Sequence, residues 1–144
     1  DSHRFDDLFG VAELDELKAA FKILEYLEPR YHVVVTNPPY MGSKGMNDGI
    51  KAYVGKRYPD SKADLFAVFM ERCLEALLKQ GYMGMINQQS WMFLSSFEDL
   101  RKKLLEEDTI VVMAHLGAHA FETIGGEVVQ TTSFVLKKAR PPEE

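Results

Sequence analysis

Four consecutive residues, Asn37, Pro38, Pro39 and Tyr40, carry the groups in this sequence that are best suited to a chemical step. The side-chain carbonyl of Asn37 and the backbone carbonyl of Pro38 are hydrogen-bond acceptors, and the Tyr40 ring is a flat aromatic surface. Because each proline fixes its own φ and restricts the residue before it, these groups are held in a stiff turn. A primary amino group on a flat ring would donate to both acceptors while the ring stacks on Tyr40, and adenine is the obvious candidate.

The chemistry of adenine explains why two acceptors would be useful. Its exocyclic nitrogen is a weak nucleophile because the lone pair is delocalised into the ring. Hydrogen bonds that accept both of its protons favour a pyramidal nitrogen, which can attack an electrophilic methyl group. A base in a duplex must first be flipped out at a cost on the order of a few kcal/mol, and aromatic stacking worth roughly 1–3 kcal/mol offsets part of that cost.

The elements around the turn predict an open α/β sheet. The β-branched run Val33 to Val35 is typical of a strand buried on both faces of a parallel sheet, and it ends directly at Asn37. Ligands of open α/β sheets bind beyond the carboxyl ends of the strands. Apolar residues at three- and four-residue steps from Val11 to Leu27 predict an amphipathic helix before this strand.

The pattern downstream alternates between helices and strands. We expect a long loop over residues 41–59 with a short helix near residues 50–54, and then a helix over residues 62–79 with Ser61 as its N-cap. The following elements are a strand near 82–87, a helix over 97–107, and strands over 109–116 and 129–137. This order predicts an α/β, Rossmann-like sheet that is mostly parallel and has a final antiparallel strand.

Composition limits the possible functions. The chain has 144 residues, of which 46% are hydrophobic and 27% charged, as expected for one compact domain. Its net charge of −5 offers no broad basic face to a nucleic acid. Contacts with phosphates would therefore come from local patches such as Lys44, Lys51, Lys56 and Arg57. Apolar runs are too short for a membrane span, and we expect a protein of the cytoplasm.

Metal and cysteine chemistry is not expected. The single cysteine, Cys73, excludes an internal disulfide and a cysteine-based zinc cluster. It lies within the apolar stripe of a predicted helix rather than after a proline in a loop, which argues against the nucleophile needed to methylate carbon 5 of cytosine. His115 and His119 fall on a strand and the loop after it, so we expect no metal site.

Longer stretches of the sequence resemble a known family. The runs "VVVTNPPY", "YPDSKADLFAVFMERCLEALLKQGYMGMINQQSWMFLSSFEDLRKKLL" and "MAHLGAHAFETIGGEVVQTTSFVL" resemble the adenine-N6 DNA methyltransferases of phage-exclusion (BREX) systems and the fused restriction-modification methylases. The resemblance covers roughly residues 31–138. It implies S-adenosylmethionine as cofactor and double-stranded DNA with a flipped adenine as partner.

The resemblance also implies roles for particular residues. Asn37 and Pro38 would hold the target amino group next to the cofactor, with Pro39 completing the rigid turn. Tyr40 would stack on the flipped adenine, and Phe121, after "LGAHA", matches the second aromatic residue that packs on the base. Independently of the resemblance, the basic charge of the segment after the turn suggests that Lys44 contacts the DNA backbone.

The chain departs from the family pattern before the turn. The glycine-rich cofactor motif that the family places ahead of "NPPY" does not occur in this sequence, nor does the acidic residue that would bind the ribose. We therefore expect residues 1–144 to be the carboxyl-terminal part of a methyltransferase catalytic domain. The cofactor-binding half and the target-recognition domain would lie elsewhere in the parent chain, and this part alone would not be active.

Two other functions fit the turn. A glutamine amide presents the same NH2 group, so methylation of glutamine N5 in a protein such as a release factor would use the same acceptors. The long loop after the turn and the downstream resemblance argue against that reaction. The third possibility is a non-catalytic DNA-binding or scaffold module, since the main cofactor motif is absent.

Overall fold

The structure is a computed structural model that describes residues 11–117 and 130–142. Its helices are α1 (Val11–Leu27), α2 (Asp48–Arg57), α3 (Leu65–Glu75) and α4 (Glu98–Glu107). Its strands are β1 (Tyr31–Thr36), β2 (Leu77–Gln88), β3 (Thr109–Gly117) and β4 (Thr131–Lys137). Two short 3-10 turns, Gln89–Met92 and Ser95–Phe97, connect β2 to α4. The described helices include none that is long and apolar enough to cross a membrane.

The chain divides into two units, one ending at Arg30 and the other beginning at Tyr31. Helix α1 forms the described part of the first unit and has the predicted bounds. Its apolar side chains are largely exposed, with Phe21 at 59% and Leu24 at 52%. The second unit contains the sheet and the other three helices.

The sheet has the strand order β1-β2-β4-β3. Strands β1 and β2 pair in parallel, and β4 pairs antiparallel with both β2 and β3. Strands β1, β2 and β3 therefore run in one direction and β4 runs in the other, which confirms the predicted α/β class and the final antiparallel strand. Because β4 lies between β2 and β3, only the β1–β2 pairing is parallel among the described strands.

The main core lies between one face of the sheet and helices α3 and α4. It is centred on Phe66 and Met70 of α3, Met83 of β2, Leu100 of α4 and Phe134 of β4, each no more than 1% exposed. Burial of each such side chain contributes about 1.5–3 kcal/mol. This core fixes α3 against β2, which matters because α3 begins beside the Asn37–Tyr40 turn.

Within the described part of the second unit, no helix packs on the opposite face of the sheet, and the prediction that the Val33–Val35 run is buried on both faces is wrong there. Side chains alternate along a strand, so Val34 faces the core while Val33 and Val35 point the other way. Val33 is 57% exposed and Val35 is 77% exposed. Both α3 and α4 pack on the Met83 side, which explains the difference.

The segment after the turn is more ordered than predicted. Residues 48–57 form α2, longer than the expected helix near 50–54, and the Asn47 side chain caps it by accepting a 2.8 Å hydrogen bond from the Ile50 N–H. Val54 and Tyr58 pack with Met46 against Val68 of α3 in a second, smaller core. This packing attaches the segment to α3.

Helix α3 is shorter than predicted at both ends. Its N-cap is Asp64 rather than Ser61, whose hydroxyl instead donates to the buried carboxylate of Glu71. It ends at Glu75 because the chain turns directly into β2. Within β2, where its register with β1 shifts, a Cβ on Gly81 would lie 2.9 Å from the His32 carbonyl oxygen, so only glycine fits at this close approach of the two strands.

A buried carboxyl group joins α4 to β3. Asp108, at the end of α4, is 6% exposed, and its burial raises the pKa to about 6, with a further upward contribution from Glu107. Lys138 and Lys103 act in the opposite direction. Because the pKa in the folded state lies above the unfolded value, the folded protein holds this proton longer. The stabilisation that comes from holding the Asp108 proton is therefore lost progressively as the pH rises from about 4 to about 6.

We expect Asp108→Asn to remove this pH-dependent penalty. Burial raises the pKa of Asp108 from 3.8 to about 6. The free energy of unfolding of the variant, relative to wild type, should therefore be up to about 3 kcal/mol higher at pH 7.5 than at pH 3.5. Urea unfolding of both proteins at the two pH values measures the difference. A gain that is the same at both pH values would contradict the raised pKa.

Candidate active site

The turn Asn37–Tyr40 leaves the sheet at the carboxyl end of β1, as predicted. Strand β1 ends at Thr36, and the parallel partner β2 ends at Gln88 on the same edge of the sheet. Pro38 is buried, whereas Asn37 and Pro39 are exposed. The buried proline anchors the turn, and the residues on either side of it face outward.

The Asn37 side chain is available for a ligand. It is exposed, and within the part of the chain that the structure describes it forms no hydrogen bond. An amide in this state can accept through its oxygen and donate through its nitrogen without first breaking an internal contact. Pro38 follows it directly, so the backbone carbonyl of Pro38 and the Asn37 side chain are neighbouring acceptors.

Tyr40 is held by the core. Its ring makes a T-shaped contact with Phe66, with ring centroids 6.1 Å apart and planes inclined at 84°. Its hydroxyl is buried and has no hydrogen-bond partner among the described residues, and burial raises the pKa of this phenol. The ring therefore has a fixed orientation, and the hydroxyl is not the group that it presents to solvent.

Asp64 ties the turn to α3, a role that the sequence analysis did not assign. Its carboxylate accepts a 2.9 Å hydrogen bond from the Met41 N–H, directly after Tyr40, and a 3.2 Å bond from the Phe66 N–H in the first turn of α3. The Leu65 N–H donates to the Met41 carbonyl oxygen at 3.0 Å. The one signal in the sequence was an aspartate in the position of a helix cap.

The end of β2 carries a network of polar side chains. Gln89 donates to Gln130 and also contacts a ring nitrogen of His115, which joins the ends of β2 and β3 to the start of β4. Trp91 is only 4% exposed, and its indole N–H donates to the Asn87 side-chain oxygen at 3.1 Å. Trp91 therefore supports the fold, while Gln89 remains at the edge of the sheet.

The basic residues after the turn differ in availability. Arg57 pairs with Glu75 at 2.5 Å and its guanidinium lies 5.0 Å from the centre of the Tyr58 ring. Lys44, Lys51 and Lys56 are exposed and form no ion pair with the residues described. The lysines, rather than Arg57, are free to meet an anion.

Phe121 lies outside the described residues. For metals, the described ranges contain no cluster of three or more histidine, cysteine, aspartate or glutamate side chains that could hold an ion.

Comparison with known proteins identifies the family. The profile of the Eco57I restriction-modification methylases matches residues 5–121, which includes the turn, α2, α3, β2 and α4. The chain belongs to this family. The adenine-specific methyltransferase BrxX of Escherichia coli O9:H4 (strain HS) is 49% identical over 131 residues, covering 87% of this chain and 11% of BrxX. The chain thus spans about a tenth of the length of the curated relatives it matches.

Solved structures with lower sequence identity to this chain share its fold. A class I S-adenosylmethionine-dependent methyltransferase from Listeria monocytogenes, described as putative, superposes with a TM-score of 0.61 at 16% identity, over 81% of this chain and 35% of that chain. The Type IIL restriction-modification enzyme MmeI in complex with DNA gives a TM-score of 0.58 at 16% identity, over 78% of this chain and 16% of MmeI. These comparisons confirm the methyltransferase-like α/β fold.

We expect Tyr40→Phe to stabilise the protein. The substitution keeps the ring against Phe66 and removes a buried hydroxyl without a partner, a group that costs about 1–3 kcal/mol. The free energy of unfolding in urea should rise by about 1 kcal/mol. Tyr53→Phe is the matched control, since Tyr53 is 61% exposed and should show no change. A loss of stability in Tyr40→Phe would contradict the orphaned hydroxyl.

Asp64 can be tested by separating its two hydrogen bonds. Asp64→Ser can still cap α3, but its shorter side chain cannot also reach the Met41 N–H. Amide hydrogen exchange should become about tenfold faster at Met41 while α3 keeps its protection. Asp64→Asn retains the one side-chain oxygen, Oδ1, that accepts both hydrogen bonds, and should resemble wild type. Equal protection of Met41 in wild type and Asp64→Ser would show that the turn does not depend on Asp64.

Proposed function

We propose that this chain forms the part of an S-adenosylmethionine-dependent methyltransferase that binds the target amino group, and that the reaction is methylation of adenine N6 in DNA during phage defence or restriction-modification. The observation that carries this proposal is the exposed Asn37 amide, which forms no hydrogen bond with the described residues, in a turn held by Pro38 and Asp64 at the carboxyl edge of the sheet. The family and the name of its relative BrxX support it.

The residues of the turn account for recognition of the amino group. The Asn37 side-chain oxygen and the Pro38 carbonyl oxygen would each accept one N–H of adenine, which leaves the nitrogen lone pair directed away from both. Bound S-adenosylmethionine would supply an electrophilic methyl group on sulfur. The turn is held before the base arrives, so the Pro38 carbonyl is already in place, while the exposed Asn37 side chain would orient on binding. Both acceptors would stabilise the positive charge that develops on the nitrogen.

Aromatic and basic residues would hold the rest of the substrate. Tyr40, oriented by Phe66, would stack on the flipped adenine, and Phe121 would pack on the same base. Lys44, exposed four residues after Tyr40, would contact the DNA backbone. For the cofactor, the turn residues Asn37 and Pro38 would border the methyl group.

The remaining parts of the enzyme would come from the parent protein. The described residues supply the turn and the base-binding side, while the glycine-rich motif is absent from the sequence. We infer that the cofactor-binding half and the target-recognition domain are provided elsewhere in a longer chain, of which residues 1–144 form one part of the catalytic domain. The proposed substrate places the protein in the cytoplasm.

Methyl transfer by the complete parent protein tests this function. With labelled S-adenosylmethionine, label should appear in genomic DNA and be recovered after digestion as N6-methyladenine. Label found only in a release-factor protein offered in parallel would instead establish the glutamine reaction. Absence of label from both would contradict methyl transfer by this protein.

Substitution of the acceptor then tests the mechanism. Asn37→Ala should lower kcat at least about 100-fold, because one of the two acceptors for the amino group is lost. Asn47→Ser is the control, since serine can still cap α2 at a site outside the turn. Normal methylation by Asn37→Ala would rule out the acceptor role.

A further inference from the structure

A groove of about 440 Å³ lies beside the turn, on the side formed by α2. Four chain segments contribute to it: the segment that follows Tyr40, helix α2, the residues before α3, and the 3-10 turn before α4. Its lining residues are Ser43, Lys51, Val54, Gly55, Lys62, Ala63 and Ser96.

The groove is positively charged and rich in hydrogen-bond donors. Lys51 and Lys62 are both exposed, and neither forms an ion pair with any residue that the structure describes. The described lining contains no acidic side chain, while Ser43 and Ser96 add two hydroxyl groups. By contrast, Lys103 in the cavity between α3 and α4 is neutralised by Glu71 at 2.7 Å. Of these two cavities, the groove beside the turn is the one whose lining suits an anion.

Hydrogen bonds connect the groove to the turn. Ser43 donates its N–H to the Ala63 carbonyl oxygen at 3.0 Å, and Ala63 is followed by Asp64, which holds the Met41 N–H. Ser43 is three residues after Tyr40, so their Cα atoms are at most roughly 11 Å apart. An anion in the groove would therefore have a fixed position relative to a base stacked on Tyr40.

We propose that this groove binds a backbone phosphate next to the target nucleotide, with Lys51 and Lys62 supplying the charge. This inference rests on the proposed function and adds a phosphate site to it. Ammonium and hydroxyl groups are standard partners of DNA phosphates, and such contacts set the register of a protein on DNA without reading its sequence. The groove would thus place the flipped base over Tyr40.

The first test measures the salt dependence of DNA binding. The complete protein and its Lys51→Ala/Lys62→Ala variant are titrated against a fluorescent duplex that carries one unmethylated target site of the protein. The variant should bind about tenfold more weakly at 0.15 M salt, and the slope of log K against log salt should be smaller by about 1. The same loss should occur on an unrelated duplex, because phosphates carry no sequence information.

The matched control is Lys79→Ala/Lys102→Ala, which removes two exposed lysines away from the groove. Lys79 lies near the start of β2, at the sheet edge opposite the turn, and Lys102 lies on α4. This control should retain the wild-type slope. If the groove variant and the control have the same slope, the phosphate site is refuted.

The second test identifies the phosphate. Duplexes are made with an uncharged methylphosphonate at each position flanking the target adenine, one at a time. At one position the replacement should weaken wild-type binding about tenfold but change binding of the Lys51→Ala/Lys62→Ala variant less than twofold. Independent, additive losses at every flanking position would overturn the proposal.

These outcomes separate the groove from the proposed function. Wild type that methylates adenine in DNA while the groove variant keeps its salt slope would refute the groove alone. Wild type that transfers no methyl group to DNA would refute both. A rise in KM for S-adenosylmethionine with unchanged KM for DNA would mean that the lysines bind the cofactor, and would also overturn the phosphate site.

Discussion

The hydrogen bond from the Met41 N–H to the Asp64 carboxylate is the contact on which the candidate site depends. Beyond Thr36 the chain has left the sheet, and Pro38 and Pro39 have no N–H groups with which to bind a neighbouring strand. The turn must therefore be fixed from outside. Asp64 does so while capping α3, and α3 is itself fixed by the buried side chains of Phe66 and Met70. Packing of the core therefore determines the position of the turn.

The same arrangement holds some residues near the turn in place and leaves other side chains exposed to solvent. Tyr40 rests on Phe66, and Ser43 is bonded to Ala63, so each is attached to α3 or to the residues before it. Asn37 and the nearby lysines are exposed, and their polar ends have no partner among the described residues. A protein with a net charge of −5 can still offer a basic surface beside this turn, because Lys51 and Lys62 form no ion pair within the described part of the chain.

Local rules predicted the parts of the fold that depend on local chemistry. Prolines end β1 wherever the rest of the chain lies, and the apolar spacing of α1 gave its bounds correctly. Local rules could not choose between Ser61 and Asp64 as the cap of α3, since both residue types cap helices and only the contact with Met41 decides. The exposure of Val35 was equally inaccessible, because burial depends on which elements cover the sheet rather than on the β-branched run itself. Within the described residues, the groove around Lys51 and Lys62 required the three-dimensional structure, since four separate segments form it.

The insertion of β4 between β2 and β3 has a consequence for synthesis of the chain. Strand β3 leaves the ribosome before β4, yet among the described strands its only pairing is with β4. Until Thr131–Lys137 has emerged, β1 and β2 can form a parallel pair, but the hydrogen-bonding groups of β3 have no strand to join. Pairing β4 with β2 also brings together residues far apart in the chain, such as Thr131 and Gln88, which is entropically slow. A nascent chain that stalls before residue 131 would thus present unpaired strand edges, the features that chaperones and aggregates recognise.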